Sequence, residues 1–182
     1  MRLPSLPIGY SDIRMRRVAV IGSPGSGKTT FSRKLGEVTG LPLIHLDTEH
    51  HRRDRDYYTN KNRWDKYVLS EIKKDKWIIE GNFSSTFDER FARADTIIYI
   101  DTPRYLTIPR ISRRLFHRSS ARRPEMPEGW QEKFHYSFFR YAWRFKKHRK
   151  PIYLCKLSQL PDDKQVVILK GKRQVRDFLD LK

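Results

Sequence analysis

The stretch Ile21-Gly22-Ser23-Pro24-Gly25-Ser26-Gly27-Lys28-Thr29-Thr30 (IGSPGSGKTT, residues 21–30) decides how the rest of the chain is read. Three glycines, two serines and a proline stand ahead of one lysine and two threonines. An apolar, β-branched run, Arg17 to Ile21, leads into it, the pattern of a buried strand. Phe31, Leu35 and Val38 follow at helical spacing. A strand therefore enters a glycine-rich loop that opens a helix. Glycines at 22, 25 and 27 let successive N–H groups converge, and the helix N-terminus adds partial positive charge. The place so formed attracts an anion.

The spacing Gly22-x-x-x-x-Gly27-Lys28-Thr29 matches the phosphate-binding loop of nucleotide-binding proteins at every required position. Amides of residues 22–30 are expected to hold the phosphates of ATP. Lys28 is expected to reach the terminal pair and the Thr29 hydroxyl to coordinate Mg²⁺.

At 182 residues the chain suits a single domain with a substantial core. Its one cysteine, Cys155, excludes an intrachain disulfide and suits a reducing cytoplasm; it reads as a small buried apolar residue. No apolar run reaches membrane-spanning length and no secretory core opens the chain, so a membrane partner is not expected. Residues 1–14, with Pro4, Pro7 and Gly9, read as a flexible extension, and residues 15–182 as the domain. Monomer and homodimer both remain open. The net charge of +18 arises from 39 basic and 21 acidic residues. Between Arg104 and Lys150 stand 14 basic and 3 acidic residues, so this segment holds +11 of it. Anionic partners are implied, whether nucleotides or nucleic acid bound without sequence preference.

Further strand-like runs alternate with helix-like ones, which predicts an α/β fold with a parallel sheet covered on both faces. They are Leu43 to Leu46, Trp77 to Ile79, Thr96 to Ile100 and Gln165 to Leu169. Amphipathic patterns around 63–74 and through Val175 and Phe178 predict helices. Thr86 and Glu89 read as a capping box, Thr102-Pro103 as a helix start, and Pro109 as a kink or restart. Three strands end in acids: Asp47, Glu80 and Asp101. Ligands of open parallel sheets bind beyond the carboxyl ends of the strands. Asp47 and Glu80 are thus candidates to hold Mg²⁺, or in the case of Asp47 an acceptor hydroxyl, whereas Asp101 reads as a helix cap. Arg110 and Arg114 share one helical stripe with Arg118. The polar, turn-rich segment 118–130 carries Arg122 and Arg123 and reads as a lid. Arginine forks would pair phosphate oxygens as such a lid closed.

The order of motifs resembles the adenylate-kinase-type P-loop kinases. Within them it is most similar to the bacterial DNA topology modulation proteins (the FlaR group). The resemblance rests on IHLD (44–47), WIIEGNF (77–83), ADTIIYIDTPR (94–104), RRPEMPEGW (122–130) and FFRYAWRF (138–145). It implies a five-stranded parallel sheet in the order 2-3-1-4-5, with an arginine-rich lid between the fourth and fifth strands. It implies that Glu80-Gly81 stands where such kinases carry an Asp-Gly organising Mg²⁺ through water. It also implies catalytic roles for Arg110, Arg114, Arg122 and Arg123, and a place near the adenine for Gly171. The acceptor-gripping arginine of adenylate kinases is missing from Asn82-Phe83-Ser84-Ser85-Thr86; Arg52 and Arg53 are its candidate substitutes.

Two functions compete at this level. The first is ATP-dependent phosphoryl transfer to a small-molecule acceptor: a nucleotide, nucleoside or similar compound. The second is an ATP-binding, nucleic-acid-associated protein that uses the basic 104–150 surface, with Tyr136, Phe139 and Trp143 as stacking candidates. A regulatory GTPase is disfavoured, because Asn60-Lys61-Asn62-Arg63 lacks the guanine-reading pattern. A motor-type ATPase is disfavoured because Thr102 stands where a catalytic glutamate would follow the strand.

Overall fold

The computed structural model describes residues 15–53, 61–116 and 136–180. The extension 1–14 and the lid segment 118–130, with Arg122 and Arg123, lie outside the described residues. Five strands occur among these: β1 (Arg17–Gly22), β2 (Leu43–His45), β3 (Trp77–Glu80), β4 (Thr96–Asp101) and β5 (Gln165–Lys170). Each pair is parallel and the order is β2-β3-β1-β4-β5. This is the five-stranded sheet that the motif order implies.

Strict alternation along the strands separates two cores. Val18, Val20, Ile78, Ile98 and Ile100 face α1 (Lys28–Thr39) and α8 (Gly171–Asp180), where Phe31, Leu35 and Phe178 are buried. Ala19, Ile21, Trp77, Ile79 and Ile97 face the other side. There they meet residues of α3 (Lys61–Glu71), α4 (Phe87–Arg93), α6 (Tyr136–His148) and α7 (Lys150–Ser158). Burial on both faces is why the central strands carry unbroken apolar runs, Val18 to Ile21, Trp77 to Ile79 and Ile97 to Ile100, instead of alternating ones. No helix among the described residues is long and apolar enough to cross a membrane.

Several local expectations are corrected. β2 stops at His45, and Leu46 opens α2 (Leu46–Arg53), which places Asp47 in that helix's first turn. Thr86 makes no capping bond; its hydroxyl donates to the Phe83 carbonyl at 3.4 Å. Asp101 is drawn to a distant lysine: its Oδ2 accepts from Lys150 Nζ at 2.6 Å. α5 (Arg104–Phe116) starts two residues after Thr102 and runs unbroken past Pro109. The hydrogen bond lost at Pro109 would have gone to Tyr105, an exposed first-turn residue. Cys155 is exposed on α7 instead of buried.

Candidate active site

β1 delivers its chain end to the middle of the sheet, between β3 and β4, and the loop 22–27 turns there under tight constraint. Gly22 has φ +152°, and a Cβ on it would sit 2.5 Å from the Ile100 carbonyl oxygen. Gly25, at φ +72°, would bring a Cβ within 2.8 Å of the Thr107 carbonyl oxygen. Strand β4 and helix α5 thus press on the loop so closely that only hydrogen fits. Gly27 is the N-cap of α1 and offers no side-chain cap. The first amides of α1 are the orphan donors that an anion satisfies.

Three side chains from elsewhere, and Lys28 at the loop's own end, fix the loop's carbonyls and amides. Asn82 Oδ1 accepts from the Gly22 amide at 3.1 Å, and its Nδ2 donates to the Gly22 carbonyl at 2.6 Å. The Thr102 hydroxyl donates to Ser26 O at 3.2 Å. Arg110 Nη1 donates to Gly25 O at 3.3 Å. Lys28 Nζ donates to Ser23 O at 3.1 Å. Asn82 and Thr102 did not emerge as site residues from the sequence. Asn82 lies within the WIIEGNF motif, whereas Thr102 read as a helix start.

Two cavities open on either side of this loop. One, of about 870 Å³, lies between the loop, α1 and α8, and reaches Ser26, Gly27, Thr30, Phe31, Val175 and Gly171. Gly171 opens α8 there with φ +77°. The other, of about 310 Å³, is bounded by Pro24, Gly25, Lys28 and Thr29 on the loop side. Asp47, Glu80, Asn82, Phe138 and Tyr141 form its far wall. Gly27, Thr30 and Arg110 border both. Arg52 borders neither among the described residues; it is exposed and its Nη1 lies 3.7 Å from Glu49 on its own helix. The side chains of Arg53 and Arg114 lie outside the described residues.

Glu80 is 3 % exposed at the end of β3. Its Oε2 accepts from the Thr29 hydroxyl at 3.3 Å and lies 3.2 Å from His45 Nδ1. His45 and Glu80 are register partners on adjacent parallel strands, so their side chains leave the sheet on the same side. This contact is invisible in the sequence until the strands are paired. Thr29 and Glu80 supply hard oxygen donors side by side, with Asp47 lining the same cavity. Among the described residues no group of three or more His, Cys, Asp and Glu gathers into a metal cage. Such a donor set fits Mg²⁺, which takes one or two protein oxygens and completes its shell from phosphate and water. On the same far wall, burial pushes the Tyr141 phenol above its usual range. Tyr141 therefore remains protonated at neutral pH.

No family model and no curated protein matches the chain. Solved structures do match. The shikimate kinase from Acinetobacter baumannii, in complex with shikimate, is similar over 92 % of this chain and 90 % of its own, at TM-score 0.58 and 18 % identity. The shikimate kinase from Bacteroides thetaiotaomicron is similar over 91 % and 95 %, at TM-score 0.58 and 17 % identity. With the strand order, the loop after β1 and these neighbours in agreement, the chain has the fold of the P-loop kinases.

Proposed function

We propose that the protein transfers the terminal phosphoryl group of ATP, bound with Mg²⁺, to a hydroxyl of a small-molecule acceptor. The observation that supports this best is the position of the loop 22–27, with one cavity on each side and Arg110 at their junction. The larger cavity takes the nucleoside, with Gly171 at its rim. The amides of 22–30 take the phosphates. Thr29 and Glu80 would hold Mg²⁺, which supplies charge neutralisation on the β- and γ-phosphates. The smaller cavity takes the acceptor. A hydroxyl oxygen there attacks the γ-phosphorus as the bond to the bridging oxygen breaks, leaving ADP. Asp47 orients that hydroxyl by accepting its hydrogen. Phe138 and Tyr141 offer aromatic faces and Asn82 an amide, a wall suited to a hydroxylated ring such as a nucleoside or sugar. Lid closure by Arg122 and Arg123 would exclude water from the transfer. The closer grouping with the topology modulation proteins is supported by the five sequence motifs.

The test is ATP turnover with a panel of nucleosides, nucleotides and sugars. At least one acceptor is expected to raise turnover above the ATP-only background, with a phosphorylated product in equal amount to ADP. A panel in which no compound does so would count against transfer. With the acceptor in hand, Asp47→Asn is expected to lower acceptor-dependent turnover ~10²-fold, the usual worth of a positioned acid–base group. Turnover equal to wild type would remove Asp47 from the role.

A second reading, nucleic-acid association, is favoured by one surface. Two of the three stacking candidates, Tyr136 and Trp143, are 70 % and 49 % exposed. The Arg104 guanidinium lies 5.1 Å from the Trp143 ring centroid, and Arg140, Arg144 and Lys147 are exposed on the same helix. Cationic groups beside exposed rings are what single-stranded nucleic acid stacks on. This reading expects affinity for single-stranded DNA that falls with salt, with a log–log slope of about −0.7 per phosphate contacted. No binding near physiological salt would overturn it.

A further inference from the structure

Arg90 of α4 is fully buried, a placement unusual for a cation. No ion pair to it forms among the described residues; Glu80 and Glu89 are the carboxylates whose field it feels. Its guanidinium instead donates to three backbone carbonyls of a single loop. Nη1 reaches Gly81 O at 2.9 Å, Nη2 reaches Phe83 O at 2.7 Å, and Nε reaches Thr86 O at 3.3 Å. The Phe87 ring centroid lies 4.9 Å from it. Burial pushes the guanidinium down to about 10, still charged at neutral pH. Leucine or methionine would fill such a space without a buried charge, so the fork is what distinguishes this residue.

The loop it binds faces both halves of the candidate site. On one side Asn82 grips Gly22 through both its amide and its carbonyl. On the other side the Phe83 ring packs on His50 of α2, centroids 5.5 Å apart, and on Trp64 of α3, at 5.0 Å. α2 is the helix that carries Asp47. Gly81, at φ +143°, lies so close to Leu46 that a Cβ would meet it at 2.9 Å, which ties the same loop to the start of α2. One buried guanidinium therefore stands behind the phosphate loop and behind the acceptor wall, and it borders neither cavity among the described residues.

We infer that Arg90 is a positioning residue that keeps the nucleotide loop and the acceptor wall in register, acting through the Gly81–Thr86 loop. The inference rests on the phosphoryl-transfer reading, but its test is read in nucleotide binding and needs no acceptor. The probe is the non-hydrolysable analogue AMP-PNP with Mg²⁺, titrated calorimetrically at a temperature well below the Tm of every variant. Arg90→Met is expected to weaken binding about tenfold, short of the ~10²-fold that a 1 Å misplacement costs a reaction. Arg90→Lys, which keeps the charge and loses the fork, is expected to recover little of that loss. Asn82→Ala is expected to weaken binding to a similar degree. The double variant Arg90→Met with Asn82→Ala is expected to match either single one, because both act through one contact.

Multiplying effects in the double variant would overturn the coupling through Asn82. Unchanged affinity with only a lowered Tm would overturn the inference, since that is all a filler role produces. Failure of both Arg90 variants to fold would overturn it too, making Arg90 a folding residue. A wild type that binds no analogue sinks the phosphoryl-transfer reading and this inference with it. A wild type that binds as tightly as its Arg90 variants sinks the inference alone.

Discussion

Lys28→Ala is expected to reduce ATP turnover ~10²–10³-fold, the range found when one preorganised charge-stabilising donor is removed. Lys28 is the first residue of α1, and its ammonium reaches back over the loop to Ser23 O at 3.1 Å. From there it borders the smaller cavity, where the proposed transfer would move charge. The same geometry says that the fold should survive. A cation in the first turn opposes the helix dipole, a penalty of about 0.3–1 kcal/mol. Alanine has the best helix propensity of any residue. The thermal midpoint of the variant should therefore equal or slightly exceed that of the wild type. Turnover and a melting curve measured on the same sample settle it. Turnover within threefold of wild type would mean that the loop holds no reacting phosphate.

Arg110→Ala is the second large effect expected, and it should appear in kcat more than in nucleotide affinity. Arg110 stands on α5, hydrogen-bonded to Gly25 O, and borders both cavities. In the proposed transfer a fixed cation at that junction would face the phosphoryl group midway between donor and acceptor. Arginines so placed contribute ~10³-fold or more to phosphoryl transfer. kcat is expected to fall by about that factor, with the dissociation constant for Mg·AMP-PNP changing by less than tenfold. Arg110→Lys should restore only a minor part, since an ammonium lacks the fork that pairs two oxygens. A variant with unchanged kcat and a raised KM would show that Arg110 binds the ground state alone. The change also removes the bond to Gly25 O, so the AMP-PNP titration separates loosening of the loop from loss of the transition-state contact.

The residues that bound the site differ in how far the sequence announces them. Gly22, Gly25, Gly27, Lys28 and Thr29 announce themselves, because a phosphate loop is a contiguous device whose spacing is its function. Glu80 is legible as an acid at a strand end, and Asp47 as an acid just beyond one. Arg110 was reachable through its stripe with Arg114. His45, Asn82 and Thr102 were not, since each acts through a partner far along the chain: Asn82 lies 60 positions from Gly22 and Thr102 lies 76 from Ser26. Arg90 was the least legible. In Phe87-Asp88-Glu89-Arg90 a charged residue reads as solvated surface, and only the packing of α4 against the sheet puts it in the core. Tyr136 and Trp143 were legible as stacking candidates, and both face outward.

From its residues alone the chain determines its alternation of strands and helices and its one phosphate loop. Hydrophobic period and glycine spacing act over a few neighbouring residues and need no tertiary contact. The register that sets His45 beside Glu80, and the sheet order that puts β3 and β4 on either side of β1, belong to the tertiary structure. So do the two cavities and the buried Arg90. These depend on which distant groups the packing of two cores brings together, because hydrogen bonds across 60 to 85 positions form only once the strands between them have paired.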